Sequence, residues 1–215
     1  MKKQAVIFDM DGVISDTQKF HSEVEALLLK NLGITMTPET ISQTYAGVTD
    51  ERMFSELFAK HGVPVATVKD VVSKKWDLIH ELARGKITAV PFVIPLIRTL
   101  KKSGFKLAIA SASTATFINE VVAALDIGKY FDAIVSAQEV QHGKPAPDIF
   151  LLAAQRLDVE PQAIVVIEDG KSGMVGATAA QMKSIGLVVD TSDDYPATKL
   201  VSSLSEIGVD MIHQL

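Results

Sequence analysis

The chain has 215 residues, no cysteine, and 26 acidic against 21 basic side chains for a net charge of −5. The missing cysteine excludes disulfides, thiolate metal sites and thiol nucleophiles, and the acidic balance argues against a nucleic-acid partner, which requires a dense basic face. With 47% hydrophobic residues at this length, the expectation is a folded chain with one well-buried domain, or a core domain plus a small accessory one.

In chain order, the first element is Ala5-Val6-Ile7-Phe8, an apolar run that stops at Asp9. It is shorter than the roughly 7–15 apolar residues of a secretory signal, and no later run reaches the ~20 needed to span a bilayer. A cytoplasmic monomer with no membrane partner is therefore expected. Helix-like stretches follow at Gln18–Asn31, Pro38–Tyr45, Asp50–His61 and 65–83, with no convincing strand among them. From about residue 91 to 189 strand and helix alternate. A helix at 91–102 is stopped by Gly104, and the run Leu107-Ala108-Ile109-Ala110 ends at Ser111. Helices at 114–125 and 147–157 lead to the run 163–167, which ends at Glu168-Asp169, and a small-residue helix follows at 172–181. Apolar runs without alternation suit strands covered on both faces, as in a parallel sheet. The predicted fold is α/β: a doubly wound parallel-sheet core, residues 1–15 and 87–215, with an α-helical cap domain inserted at 16–86. Ser15-Asp16 and Gly85-Lys86 are the expected paired linkers.

Ligands of open parallel sheets bind at the carboxyl ends of the strands. There the runs deliver Asp9, Ser111 and Glu168-Asp169. Asp9 and Asp11 lie two residues apart where the chain turns at Gly12, so one carboxylate can attack phosphorus while the other handles the proton of the leaving oxygen. Clustered carboxylates call for a divalent cation, and magnesium prefers such oxygen ligands. Asp169 supplies a further carboxylate. Lys144, held extended before Pro145, and the Ser111 hydroxyl complete a plausible phosphate cradle. Five scattered histidines show no ligand spacing for zinc. Gly170-Lys171-Ser172 looks like the tail of a P-loop, but the earlier glycine that motif needs falls at Val165.

These residues resemble the four ordered motifs of the haloacid dehalogenase superfamily, in the β-phosphoglucomutase and phosphatase-like subgroup with a helical cap after the first motif. Asp9-Met10-Asp11-Gly12-Val13 matches the first, Ser111 the second, Lys144-Pro145 the third and Glu168-Asp169 the fourth. The resemblance implies a Mg2+-dependent enzyme with Asp9 as nucleophile and metal ligand, and Asp11 as acid–base residue giving its main-chain oxygen to the metal. Ser111 and Lys144 would hold the phosphoryl group, Asp169 would complete the metal site, and Glu168 would stand behind it. Two departures are evident. Gly170 stands where the family usually has serine, and Gln181 stands in a position usually held by glycine.

The expected activity is hydrolysis of a small phosphate monoester through an aspartyl phosphate. A sugar phosphomutase is the near alternative, although the places where such a mutase carries a cap arginine and a Lys-Asn pair read Asp50 and Thr114-Ala115. A non-catalytic phosphoacceptor is the alternative from another class. In the cap, His21, Gly47, Arg52 and Lys75 are the candidate substrate contacts, and the loop 44–49 is the segment expected to face the site.

Overall fold

The apolar runs become neighbouring strands, each covered on both faces by its own alternating side chains. The computed structural model describes residues 3–192 and 194–215. Strands β1 (Ala5–Phe8), β2 (Lys106–Ser111), β3 (Ala133–Ser136), β4 (Ile164–Glu168), β5 (Lys183–Leu187) and β6 (Lys199–Val201) form one sheet in the order β3-β2-β1-β4-β5-β6. Every pairing is parallel. Val6 and Phe8 point into one apolar cluster and Ala5 and Ile7 into the other, and the same split holds along β2 and β4. That period of two explains why the runs are apolar throughout. Phe8 is fully buried with its ring edge-on to Phe131, centroids 6.0 Å apart, so trimming it to alanine would cost ~3–5 kcal/mol.

Four helices lie between β1 and the rest of the sheet: α1 (Gln18–Asn31), α2 (Pro38–Tyr45), α3 (Asp50–His61) and α4 (Val68–Ala83). Residues 65–67, expected as the start of the fourth helix, form a separate 3-10 turn before it. Pro38 opens α2 behind Thr37, whose hydroxyl accepts from the Thr40 amide at 3.2 Å, the arrangement that satisfies a free helix-end donor. The two crossings into this insertion run side by side. Asp16 N–H donates to Thr88 O at 2.9 Å and Val90 N–H to Ile14 O at 3.0 Å.

The remaining helices are α5 (Val93–Lys102), α6 (Ala115–Ala124), α7 (Asp148–Leu157), α8 (Lys171–Ala179) and α9 (Val209–Gln214). Through residues such as Ile97 and Phe117, α5 and α6 pack on the Phe8 face of the sheet. On the opposite face lie α7 and α8, through Phe150 and Ala177. The strand order reverses at β1, so the carboxyl ends of β1 and β4 flank the crevice where such sheets bind ligands. No described helix is long and apolar enough to cross a membrane.

Candidate active site

Register places the first acidic residues together. Phe8 pairs with Ile167, the Asp9 amide donates to Ile167 O at 2.9 Å, and Asp9 and Glu168 therefore leave adjacent strands side by side. Oxygens of Asp9, Glu168 and Asp169 lie within 4.8 Å of one another. Lys144 Nζ is buried among them, 2.5 Å from Asp9 Oδ1 and 3.1 Å from Ala110 O, and it also donates to Glu168.

One ammonium faces three carboxylates, and the imbalance shows in their proton affinities. Burial pushes the Asp9 carboxyl well above its ordinary value; Lys144 offsets part of this, and Glu168 and Asp169 add to it. Burial, and then the Glu168 charge, push Asp169 up to about 8. Burial alone would weaken the Lys144 ammonium, but Asp9 and Glu168 outweigh it and hold its pKa above the usual lysine value. An all-oxygen donor set with surplus negative charge fits a hard divalent cation such as magnesium.

Asp11 stands outside that trio with donors of its own. Thr17 Oγ1 donates at 2.5 Å, Ser113 Oγ at 2.7 Å and Ser111 Oγ at 3.3 Å. His21 Nε2 stands 3.3 Å from Asp11 Oδ1, near enough for attraction but off the line of a hydrogen bond. Burial opposes ionisation here too, but the His21 charge and the hydroxyl donors outweigh it and hold Asp11 far below the carboxylate range. The turn that separates the two carboxylates needs Gly12. Its φ is +90°, and a Cβ there would run into the Asp169 carboxylate.

The helical insertion closes the crevice with the loop between α2 and α3. The Ser172 hydroxyl donates to Ala46 O at 2.7 Å. A Cβ on Gly170 would come 2.6 Å from that same oxygen, and one on Gly143 would strike the Thr49 methyl. Glycine at 170, where the family usually has serine, thus lets the loop rest directly on the core. A small cavity of ≈ 30 Å³ is left beneath.

Of the candidate contacts in the insertion, His21, Gly47 and Lys75 line this cavity. Arg52 does not: it is exposed on α3, with Nε donating to Glu56 at 3.0 Å. Ser111, expected at the phosphate, donates to Asp11. Residues that the motifs do not reveal are Thr17 and Ser113 around Asp11, and Glu25, which holds Lys75 at 2.6 Å. Ser113 follows Ser111 by two residues, and that spacing is its only signal.

A family model described as haloacid dehalogenase-like hydrolase matches residues 6–187. The chain belongs to that family. It is 32% identical over 202 residues to a phosphorylated carbohydrates phosphatase of Thermotoga maritima, covering 90% of this chain and 89% of that protein. It is also 29% identical over 220 residues to a β-phosphoglucomutase of Bacillus subtilis, covering 98% and 94%. Among solved structures, a β-phosphoglucomutase from Clostridium difficile superposes with a TM-score of 0.88 at 26% identity, covering 99% of this chain and 96% of that one. Both kinds of relative therefore share the fold and nearly the full length of this family member.

Proposed function

We propose that this haloacid dehalogenase-like hydrolase is a magnesium-dependent phosphatase of small phosphate monoesters, with residues 16–86 acting as its cap. The observation that carries the reading is the division of labour at the crevice: Asp9 sits in the carboxylate–lysine cluster, and Asp11 has a separate donor network. Asp9 attacks phosphorus, the ester P–O bond breaks, and the leaving oxygen takes a proton from Asp11. Water then attacks the aspartyl phosphate, releasing the Asp9 carboxylate and returning a proton to Asp11. The surroundings of Asp11 favour its ionised form, which the second step needs. A dianionic phosphoryl group beside it raises its pKa by like-charge repulsion, and so readies it for the first. Lys144, and Ser111 once it turns from Asp11, neutralise and orient the phosphoryl oxygens.

The metal would be held by Asp9, Asp169 and the main-chain oxygen of Asp11, with Glu168 behind them. When bound it supplies the positive charge that keeps Asp9 ionised and offsets the charge of the phosphoryl group. The test is inorganic phosphate release from a panel of phosphate monoesters with magnesium and with EDTA, run beside a coupled assay on β-glucose 1-phosphate with bisphosphate primer. Magnesium-dependent phosphate release is expected. Efficient isomerisation with little free phosphate would install the mutase reading instead.

A further inference from the structure

The cap wall of the cavity carries a three-membered ion cluster with an unusual balance of charge. Lys75 on α4 is buried, with 1% of its surface exposed. Its Nζ donates to Glu25 on α1 at 2.6 Å and also to Asp50 at the start of α3. All three line the cavity above Asp9 and Asp11. Burial works against the ammonium, but Asp50 and then Glu25 more than offset it and hold the Lys75 pKa above its usual value, so the cluster is two carboxylates to one ammonium, net −1. Among the described residues lining the cavity, Lys75 and His21 are the only side chains able to carry positive charge, and His21 stands against Asp11. A part of the substrate projecting from the phosphoryl group toward the cap therefore meets no uncommitted cation.

What it does meet is a surface of acceptors. Glu25 and Asp50 keep lone pairs beyond those given to Lys75, Gln18 and Tyr45 add polar groups, and Trp76 gives an apolar face. Hydroxyl groups satisfy such acceptors without bringing charge. A second phosphate or a carboxylate would be stripped of water against a net negative wall, which discriminates strongly against it.

We propose that Glu25, Asp50 and Lys75 form a charge filter that admits an uncharged, hydroxyl-bearing leaving group and excludes one carrying a second anionic group. The filter rests on the phosphatase reading and deepens it: the substrates are polyol or sugar monophosphates rather than bisphosphates. Each single substitution Asp50→Asn or Glu25→Gln keeps the side-chain shape, leaves Lys75 one carboxylate, and takes the cluster from −1 to neutral.

The experiment measures kcat/KM for phosphate release by the magnesium-loaded enzyme on matched pairs, glucose 6-phosphate with glucose 1,6-bisphosphate and fructose 6-phosphate with fructose 1,6-bisphosphate. The wild type is expected to favour the monophosphate of each pair by about tenfold or more. Each variant should raise the bisphosphate-to-monophosphate ratio by a similar factor, the scale of discrimination that like-charge contact produces in a partly buried site. That ratio is a readout that simple loss of stability does not move, and thermal melts check that the variants fold. Equal use of both members of each pair by the wild type would overturn the filter while leaving the phosphatase reading intact, even if neither variant folds. An unchanged ratio in folded variants would also overturn it. No phosphate release from any member would overturn the phosphatase reading and the filter with it.

Discussion

The Ser113 hydroxyl, 2.7 Å from Asp11 Oδ2, is a single atom on which Asp11, the proposed acid–base residue, depends. Removing it in Ser113→Ala takes a donor from a buried carboxylate, a contact worth ~1.5–3 kcal/mol, so Asp11 becomes easier to protonate. The acidic limb of the pH–kcat profile should move to higher pH. An unmoved limb would show that Ser113 does not act through Asp11. At this scale the sequence is legible wherever chemistry is written in the local motif. Asp9, Asp11, Lys144 and Asp169 each follow a buried run or precede a proline, and all four meet at the crevice. Thr17, Ser113 and Glu25 are not legible, because a hydroxyl in a loop or a glutamate on a helix gains its meaning only from a partner elsewhere in the chain. Lys75 and Glu25 are separated by 50 positions. Arg52 is attractive in the sequence as a cation near the cap loop, but α3 turns it outward to Glu56, one helical turn along.

Closure of the crevice is a matter of elements, carried by the loop between α2 and α3 where it rests on the N-terminal turn of α8. Gly170→Ser brings in a Cβ that would lie 2.6 Å from Ala46 O, so the loop must lift. We expect faster hydrogen exchange at residues 45–49, a raised KM and a lowered kcat. Ser172→Ala removes only the 2.7 Å hydrogen bond, a loss of about 1 kcal/mol, and should have a smaller effect of the same kind. Wild-type protection and turnover in Gly170→Ser would contradict this account of closure. Helices α1, α2 and α3 are readable to the residue, since each carries an amphipathic repeat and polar residues at its start. The strands β1, β2 and β4 are readable as apolar runs. Strands β3, β5 and β6 are not, for physical reasons. β5 is interrupted by Ser184 and Gly186, β6 is three residues long, and β3 carries only three apolar residues; each relies on its neighbour's ladder rather than on its own pattern.

At the scale of the whole molecule, the carboxylate cluster links stability to pH and to the proposed metal. Asp169, with an ordinary value of 3.8, is pushed to about 8 without a cation, and Asp9 is raised as well. Between those limits the folded state binds more protons than the unfolded one, so stability falls as pH rises through the window. Asp11, held low, contributes above its ordinary value and changes little across the same range. Melting in EDTA should therefore show a falling Tm from about pH 4 to 8, and magnesium should raise Tm most at the upper end, where both groups must ionise. A metal-free Tm that climbs across this range, or no effect of magnesium near pH 8, would count against the cluster as a cation site. The central claim is that the phosphoryl group passes through Asp9, and Asp9→Asn tests it most directly because the amide keeps the shape and cannot attack phosphorus. Inorganic phosphate release on the best monophosphate of the panel, measured for a variant whose melt shows it folded, should fall by at least about a thousandfold. Turnover close to wild type in that variant would contradict the account.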